Sequence, residues 1–279
     1  MGFAAGPLPF VRPFLGPLYS WIALVRPGTR VAPPPMIRLV LRWISERLAL
    51  GPAVSFVDPL VNHGELYRAD AKAEGDLVVL GGWEVAGGRA PAEARWFSLR
   101  LGRKEIPWAY TRGDPFRSIG ALELLASLLC ILAFRPAAGS LAGARVSFTA
   151  GTDNRANGFA LDRLMSTKYP MYLVLMELAV QMESAGLLMS VAWRPRDENE
   201  EADALTNEVF TAFTPAHRVE LSWSDLPLAV LPEWAGAAEA LFQRTRDERR
   251  GGGSEAATPA PTGQRRKARR IPLREREPW

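Results

Sequence analysis

The run Ser118 to Phe134, SIGALELLASLLCILAF, reads as a helix that is apolar almost all round. Such a helix has no face to give to water and needs cover on most sides, which a sheet supplies. Arg135-Pro136 stops it, because the residue before a proline is pushed out of helical geometry. Glu123 is the only charge between Ile119 and Phe134, and a buried carboxylate without a partner is expensive.

Strand patterns stand on both sides of this helix. Leu66 to Ala71 and Leu77 to Val85 read as two strands joined by the Gly-containing turn KAEGD, and Arg95 to Leu101 alternates as a third. Together they predict an antiparallel meander. After the helix, Arg145 to Thr152 is a fourth strand, followed by a short helix to Met165 and a long one from Met171 to Ala185. Leu187 to Trp193 is a fifth strand, and RPRDEN opens a last helix through Phe210. The order βββαβααβα predicts an α/β fold, a mixed five-stranded sheet flanked by helices.

The flanks differ from this centre and divide the chain into residues 1–60, 61–215 and 216–279. Met36 to Leu50 places Ile37, Val40, Leu41, Ile44 and Leu48 at helical spacing, an amphipathic helix that packs against something. The Pro-rich stretch before it has no assignable structure, and Pro7, Pro9, Pro13 and Pro17 spoil it as a secretion signal. From Arg244 the chain reads as a flexible Gly/Ala/Pro-rich linker carrying the basic cluster Arg265 to Arg270. That cluster fits either a nucleic-acid contact or nuclear address, or a merely solvated end. No apolar run reaches the roughly 18 residues of a membrane span, so no membrane partner is expected. The expected location is nuclear or cytoplasmic rather than secreted. One cysteine, Cys130, and two histidines, His63 and His217, exclude disulfide frameworks and histidine-based metal cages. Any metal must be held by oxygen. The net charge of +4 leans towards polyanionic partners.

Four acids fall at telling places. Asp70 sits within the first strand, Glu123 on the apolar helix, Asp153 just past the fourth strand and Asp203 in the first turn of the last helix. If the first and fourth strands are neighbours, Asp70 and Asp153 stand side by side and the two helix acids lean over them. Each also has a local reading. Asp153 or Asn154 can cap a helix, and Asp203, with Glu200 and Glu201, can complement a helix dipole. Asp70 can sit at an exposed edge and Glu123 on a wet stripe. Carboxylates gathered at one point repel unless cations or protons are shared among them, and oxygen-only ligands suit Mg²⁺ or Mn²⁺. Two such ions about 4 Å apart can grip a phosphodiester for in-line attack by water.

Asp70 in RADA, Gly81-Gly82-Trp83, Glu123 in ALELLA, GTDN at Gly151 to Asn154 and PRDENEEADALTN at Pro195 to Asn207 together resemble the ribonuclease H domain of retroelement reverse transcriptases, best those of the DIRS-like and related eukaryotic retrotransposons. The likeness covers roughly the central half of the chain. It implies a ribonuclease H-like fold, with Asp70, Glu123, Asp153 and Asp203 as catalytic, metal-binding acids. It further implies two Mg²⁺ ions, with Mn²⁺ as a possible substitute, and hydrolysis of the RNA strand of an RNA–DNA hybrid. Thr152 and Asn154 are candidates for backbone contacts; Lys72, Lys168, Arg194 and Arg196 are candidates for gripping phosphates.

The chain departs from that family at three points. Trp193 stands where a histidine often precedes the last acid. Only STKYP joins the short helix to the long one, so the extra basic helix of some cellular ribonucleases H is missing. No Asp-Asp pair exists, so the polymerase motif is absent, and residues 1–60 resemble a remnant of a thumb or connection. A polymerase domain on another chain is a candidate partner. Lys72 stands where a proofreading exonuclease needs Glu, and the acid and zinc pattern of an integrase is missing. The other reading kept open is a catalytically idle, nucleic-acid-binding remnant of a transposon polyprotein.

Overall fold

The structure, a computed structural model, describes residues 9–25, 28, 30–50, 60–135, 145–152, 160, 161, 163–193 and 195–251, with the backbone alone at 9, 60–63, 145–152, 190–193, 196 and 251. Asp153, Asn154, Arg194 and the basic cluster at 265–270 lie outside the described residues.

Two helices come first, α1 (Arg12–Ile22) and α2 (Pro35–Ala49). The Pro-rich stretch does contain a helix: Pro13 falls in its first turn, where a missing N–H costs nothing. Three strands follow, β1 (Leu60–Glu74), β2 (Leu77–Glu84) and β3 (Trp96–Leu101), then α3 (Ile119–Phe134). The second half holds β4 (Arg145–Thr152), α4 (Met171–Ser184), β5 (Leu187–Trp193), α5 (Glu200–Thr206) and α6 (Leu231–Gly251). Between β4 and α4, residues 160, 161 and 163 have helical backbone.

The strands form one sheet in the order β3-β2-β1-β4-β5, with the first three antiparallel and both β4 pairings parallel. Gly75 permits the tight turn from β1 to β2: it takes φ +59° between the paired residues Glu74 and Leu77, a conformation that two-residue hairpins require. The last registered pair of β1 with β4, Arg68 with Gly151, lies two residues before Asp70 on one strand.

Two adjacent glycines decide how helices meet this sheet. Neighbouring residues of a strand point to opposite faces. A Cβ on Gly82 would stand 2.3 Å from Cys130 Sγ of α3, and one on Gly81 would stand 2.7 Å from Leu205 Cβ of α5. So α3 lies on one face and α5 on the other, each closer than an alanine would allow. The larger core cluster fills the α3 side, and a smaller one of Trp83, Trp96, Ala202, Leu205 and Phe213 lies under α5.

The apolar helix behaves as core. Residues 115–134 are long and apolar enough to cross a membrane by length and composition, and 61% of the most apolar window is buried. Leu122, Leu125 and Leu129 are fully buried, and the helix packs on β1, β2 and α4.

The N-terminal helices join the same core. Phe14 stacks on Trp43 at 3.5 Å between ring centroids and meets Trp234 of α6 edge-on at 5.8 Å. On α6, Trp234, Ala238, Leu241 and Thr245 are buried at helical spacing, so the chain from Arg244 to Gly251 is helix rather than the flexible linker its composition suggests. The last helix of the ribonuclease-like region is shorter than expected. It ends at Thr206 instead of Phe210, because Thr206 Oγ1 and Asn207 Nδ2 both donate to the Asp203 carbonyl and Glu208 turns to φ +60°.

Candidate active site

Asp70 pairs directly with Gly81 across the β1–β2 ladder, so its side chain leaves the sheet on the face that α5 covers. Because Gly81 has no side chain, α5 settles close beside Asp70. Thr206 Oγ1 stands 3.0 Å from Asp70 Oδ2 and 2.9 Å from the Asp203 carbonyl, sharing its one proton between them, and Ser98 Oγ of β3 donates to the Leu205 carbonyl at 2.9 Å. We expect Gly81→Ala to lower stability by about 1–3 kcal/mol, since backbone and Cβ atoms of α5 must shift to admit a methyl group. A denaturant melt checks this; a loss under about 0.5 kcal/mol would show that α5 yields freely.

A cleft of about 540 Å³ gathers Asp70, Glu123 and Asp203 with Lys72, Thr206 and Asn207. Three of the four expected acids therefore line one space, brought there by a central strand, the apolar helix and the short helix on the opposite face. Glu123 is half-buried on α3, which it can be only because that part of the helix faces the cleft rather than the core.

Short polar side chains hold the carboxylates in place. Asn207 Nδ2 donates to Asp203 Oδ2 at 2.9 Å, and its Oδ1 accepts from Lys72 Nζ at 3.1 Å. Lys72 also pairs with Glu74 at 3.1 Å and is the only cation among the described lining residues. Beyond α5, Arg100 of β3 forms an ion pair with Glu208, and that hydrogen bond holds the Glu208 carboxyl below its ordinary range. Arg68 ties β1 to the start of α5: it donates to the Glu198 carbonyl at 2.7 Å and sits over the Trp83 ring. Buried Asn199 donates to the Ala69 carbonyl at 3.4 Å, next to Asp70.

Other expected contacts do not gather in the same way. Lys168 lies in a different cleft. Arg196 and Thr152 are described by their backbone alone, and Trp193 ends β5. Sequence reasoning passed over Thr206 and Asn207, although both stand within the stretch already singled out at 195–207. Phe116, an exposed aromatic at the rim of the cleft, was also missed. Its only sequence signal is a large apolar residue in a turn.

The chemistry open to this cleft follows from its donors. Three carboxylates and no imidazole or thiolate make an oxygen donor set, which suits hard divalent cations. Among the described residues no three of His, Cys, Asp and Glu stand close enough to hold an ion as a group. The kind of donor fits such a cation, and the described part of the set needs at least one further ligand.

No family model matches this chain, and none of the curated proteins searched does. Among solved structures, the ribonuclease H1 of the halophilic archaeon Halobacterium salinarum is similar, with 18% identity and a TM-score of 0.35 over 54% of this chain and 96% of that one.

Proposed function

We propose that this chain is a metal-dependent endonuclease with a ribonuclease H-like fold, that it hydrolyses the RNA strand of RNA–DNA hybrids, and that it descends from a DIRS-like retrotransposon reverse transcriptase. The supporting observation is that Asp70, Glu123 and Asp203, distant in sequence and carried by three elements, line one cleft. The sheet order, with three antiparallel strands followed by two parallel ones, agrees with the fold that the motifs imply. Asp153 is the proposed fourth ligand. Arg68 pairs with Gly151, and Asp70 and Asp153 each follow those residues by two positions in the sequence.

Asp70, Glu123, Asp153 and Asp203 would hold two Mg²⁺ ions, or Mn²⁺ in their place, which when bound supply an ionisable water and neutralise charge on the phosphodiester. The protein's own part is orientation. Thr206 fixes the Asp70 carboxylate and Asn207 fixes that of Asp203, so the acids are set before substrate arrives. Lys72 offsets the repulsion among the acids and presents an ammonium to a backbone phosphate. Thr152, Asn154, Arg194 and Arg196 are proposed contacts along the nucleic-acid backbone. Selection for RNA would rest on its 2′-hydroxyls rather than on base edges, so little sequence preference is expected.

Incubating the full chain with Mg²⁺ and a labelled hybrid, a duplex RNA or a duplex DNA tests this. Cutting should be confined to the RNA strand of the hybrid and should stop when a chelator is added. Retained hybrid binding without metal-dependent cutting would instead assign the chain as a folded but idle nucleic-acid-binding remnant.

A further inference from the structure

A second cleft, of about 460 Å³, opens between α1, the turn before α3, the loop before α4 and the last turns of α6. Arg112, Lys168, Arg246, Arg249 and Arg250 line it, and no carboxylate does. Cations in the last turn of a helix complement its dipole, which accounts for Arg249 and Arg250. It does not account for Arg112 and Lys168, which reach the same place from other parts of the chain. Among the described residues, Lys168, Arg249 and Arg250 take part in no ion pair. Arg246 pairs with Asp247 at 3.8 Å, but the other cations repel one another, and their gathering becomes favourable when something negative occupies the cleft.

The walls of this cleft are firmly built. Ser20 Oγ donates to the Thr167 carbonyl at 2.8 Å, and α1 approaches so closely that a Cβ on Gly16 would stand 2.0 Å from the Ser166 carbonyl oxygen. Arg112 donates to the Tyr169 carbonyl at 3.2 Å and lies 5.2 Å over the ring of Phe242, which itself stacks on Tyr169 at 4.9 Å. The Nε of Arg246 is buried and makes no hydrogen bond, its ion pair with Asp247 Oδ1 being 3.8 Å long.

We infer that this basic cleft binds the phosphodiester backbone of a nucleic acid whose other part occupies the acidic cleft. The inference rests on the function proposed above for that cleft. The segment between β3 and α3 joins the two: Arg112 lines the basic cleft, and Phe116, four residues on, lines the acidic one. A polymeric anion can reach both; a small phosphate cannot.

The test measures binding of a fluorescent RNA–DNA hybrid to the full chain, in chelator, over a series of salt concentrations. The natural chain is compared with the triple variant Lys168→Gln, Arg249→Gln, Arg250→Gln, all at exposed positions. Affinity at low salt should fall by tenfold or more, and the slope of log K against log salt should flatten by roughly 0.9 for each phosphate that is no longer neutralised. The double variant Arg249→Lys, Arg250→Lys should keep the slope. A triple variant that melts normally and binds with unchanged affinity and slope overturns the proposal. So does a triple variant that loses binding to phosphatidylserine vesicles while its hybrid binding stays intact, which would make a lipid surface the partner. Failure of the nuclease assignment looks different: no metal supports cutting, yet the triple variant still loses hybrid affinity, and the basic cleft stands.

Discussion

Replacing Asp70 with Asn should slow cleavage of the hybrid by about a thousand-fold, the kinetic equivalent of the several kcal/mol that a bound divalent ion contributes to a phosphodiester transition state. The substitution isolates charge from shape. An Asn side chain fills the same volume opposite Gly81, and its carbonyl oxygen can still accept from Thr206 Oγ1 as Asp70 Oδ2 does at 3.0 Å. What disappears is one negative charge in a cleft shared with Glu123 and Asp203. Removing one of several mutually repelling carboxylates relieves strain, so the variant should melt no lower than the natural chain. A carboxylate that served only the fold would give the reverse pattern, with unchanged turnover and a lower melting temperature. Single-turnover cleavage with enzyme in excess, paired with a thermal melt, reads both. A rate within tenfold of the natural chain would remove Asp70 from the catalytic set.

The second large effect lies far from that cleft. Glu177 on α4 is fully buried, and its carboxylate accepts from the backbone N–H groups of Ala229, Val230 and Leu231 at distances from 2.6 to 3.1 Å. Gln181 Nε2 donates to it as well, at 2.8 Å. These N–H groups lead into α6, so one side chain supplies acceptors that no earlier turn of the helix can, with a negative charge at the positive end of the dipole. Glu177→Ala leaves those donors buried and unpaired. We expect a loss of about 3–5 kcal/mol, because hydrogen bonds to charged groups are each worth more than neutral ones and orphaned donors carry their full desolvation cost. For a chain of this size that corresponds to a melting temperature lower by roughly 10 °C. The damage should spread to the N-terminus, since Trp234 of α6 meets Phe14 of α1. Hydrogen exchange should show α6 and α1 losing protection together. A loss below about 1 kcal/mol would mean that water replaces the carboxylate freely.

Much of the framework was legible because it rests on local pattern. The alternation of Arg95 to Leu101 and the unbroken apolar run at 118–134 each encode an element whose burial follows from composition alone. Boundaries were legible where pattern sets them, as for the strands at Arg145–Thr152 and Leu187–Trp193, and where backbone chemistry does, as at Arg135-Pro136. Where side chains set them, they were not. The last helix stops at Thr206 because Thr206 and Asn207 turn back onto the Asp203 carbonyl, and both residues are compatible with either outcome. The helix at 231–251 was masked by its Gly, Ala and Arg content, although Trp234, Ala238, Leu241 and Thr245 form a buried stripe.

The candidate site divides along the same line. Asp70 and Glu123 stood out because a charge in a strand or on an apolar helix is costly wherever it lies, and that cost can be read from neighbours in sequence; Asp203 stood out only through the motif at 195–207. Their meeting could not be read there. It depends on Gly81 and Gly82 admitting a helix to each face of the sheet, on approaches of 2.7 and 2.3 Å that only the folded chain makes. Glu177 is the opposite case: one more acid on a helix by sequence, it becomes a buried cap once α6 arrives from more than fifty residues away. Sequence by itself determined which residues need a partner, since desolvation acts on each group alone. Tertiary structure decided which partners they have, since proximity between distant segments is a property of packing.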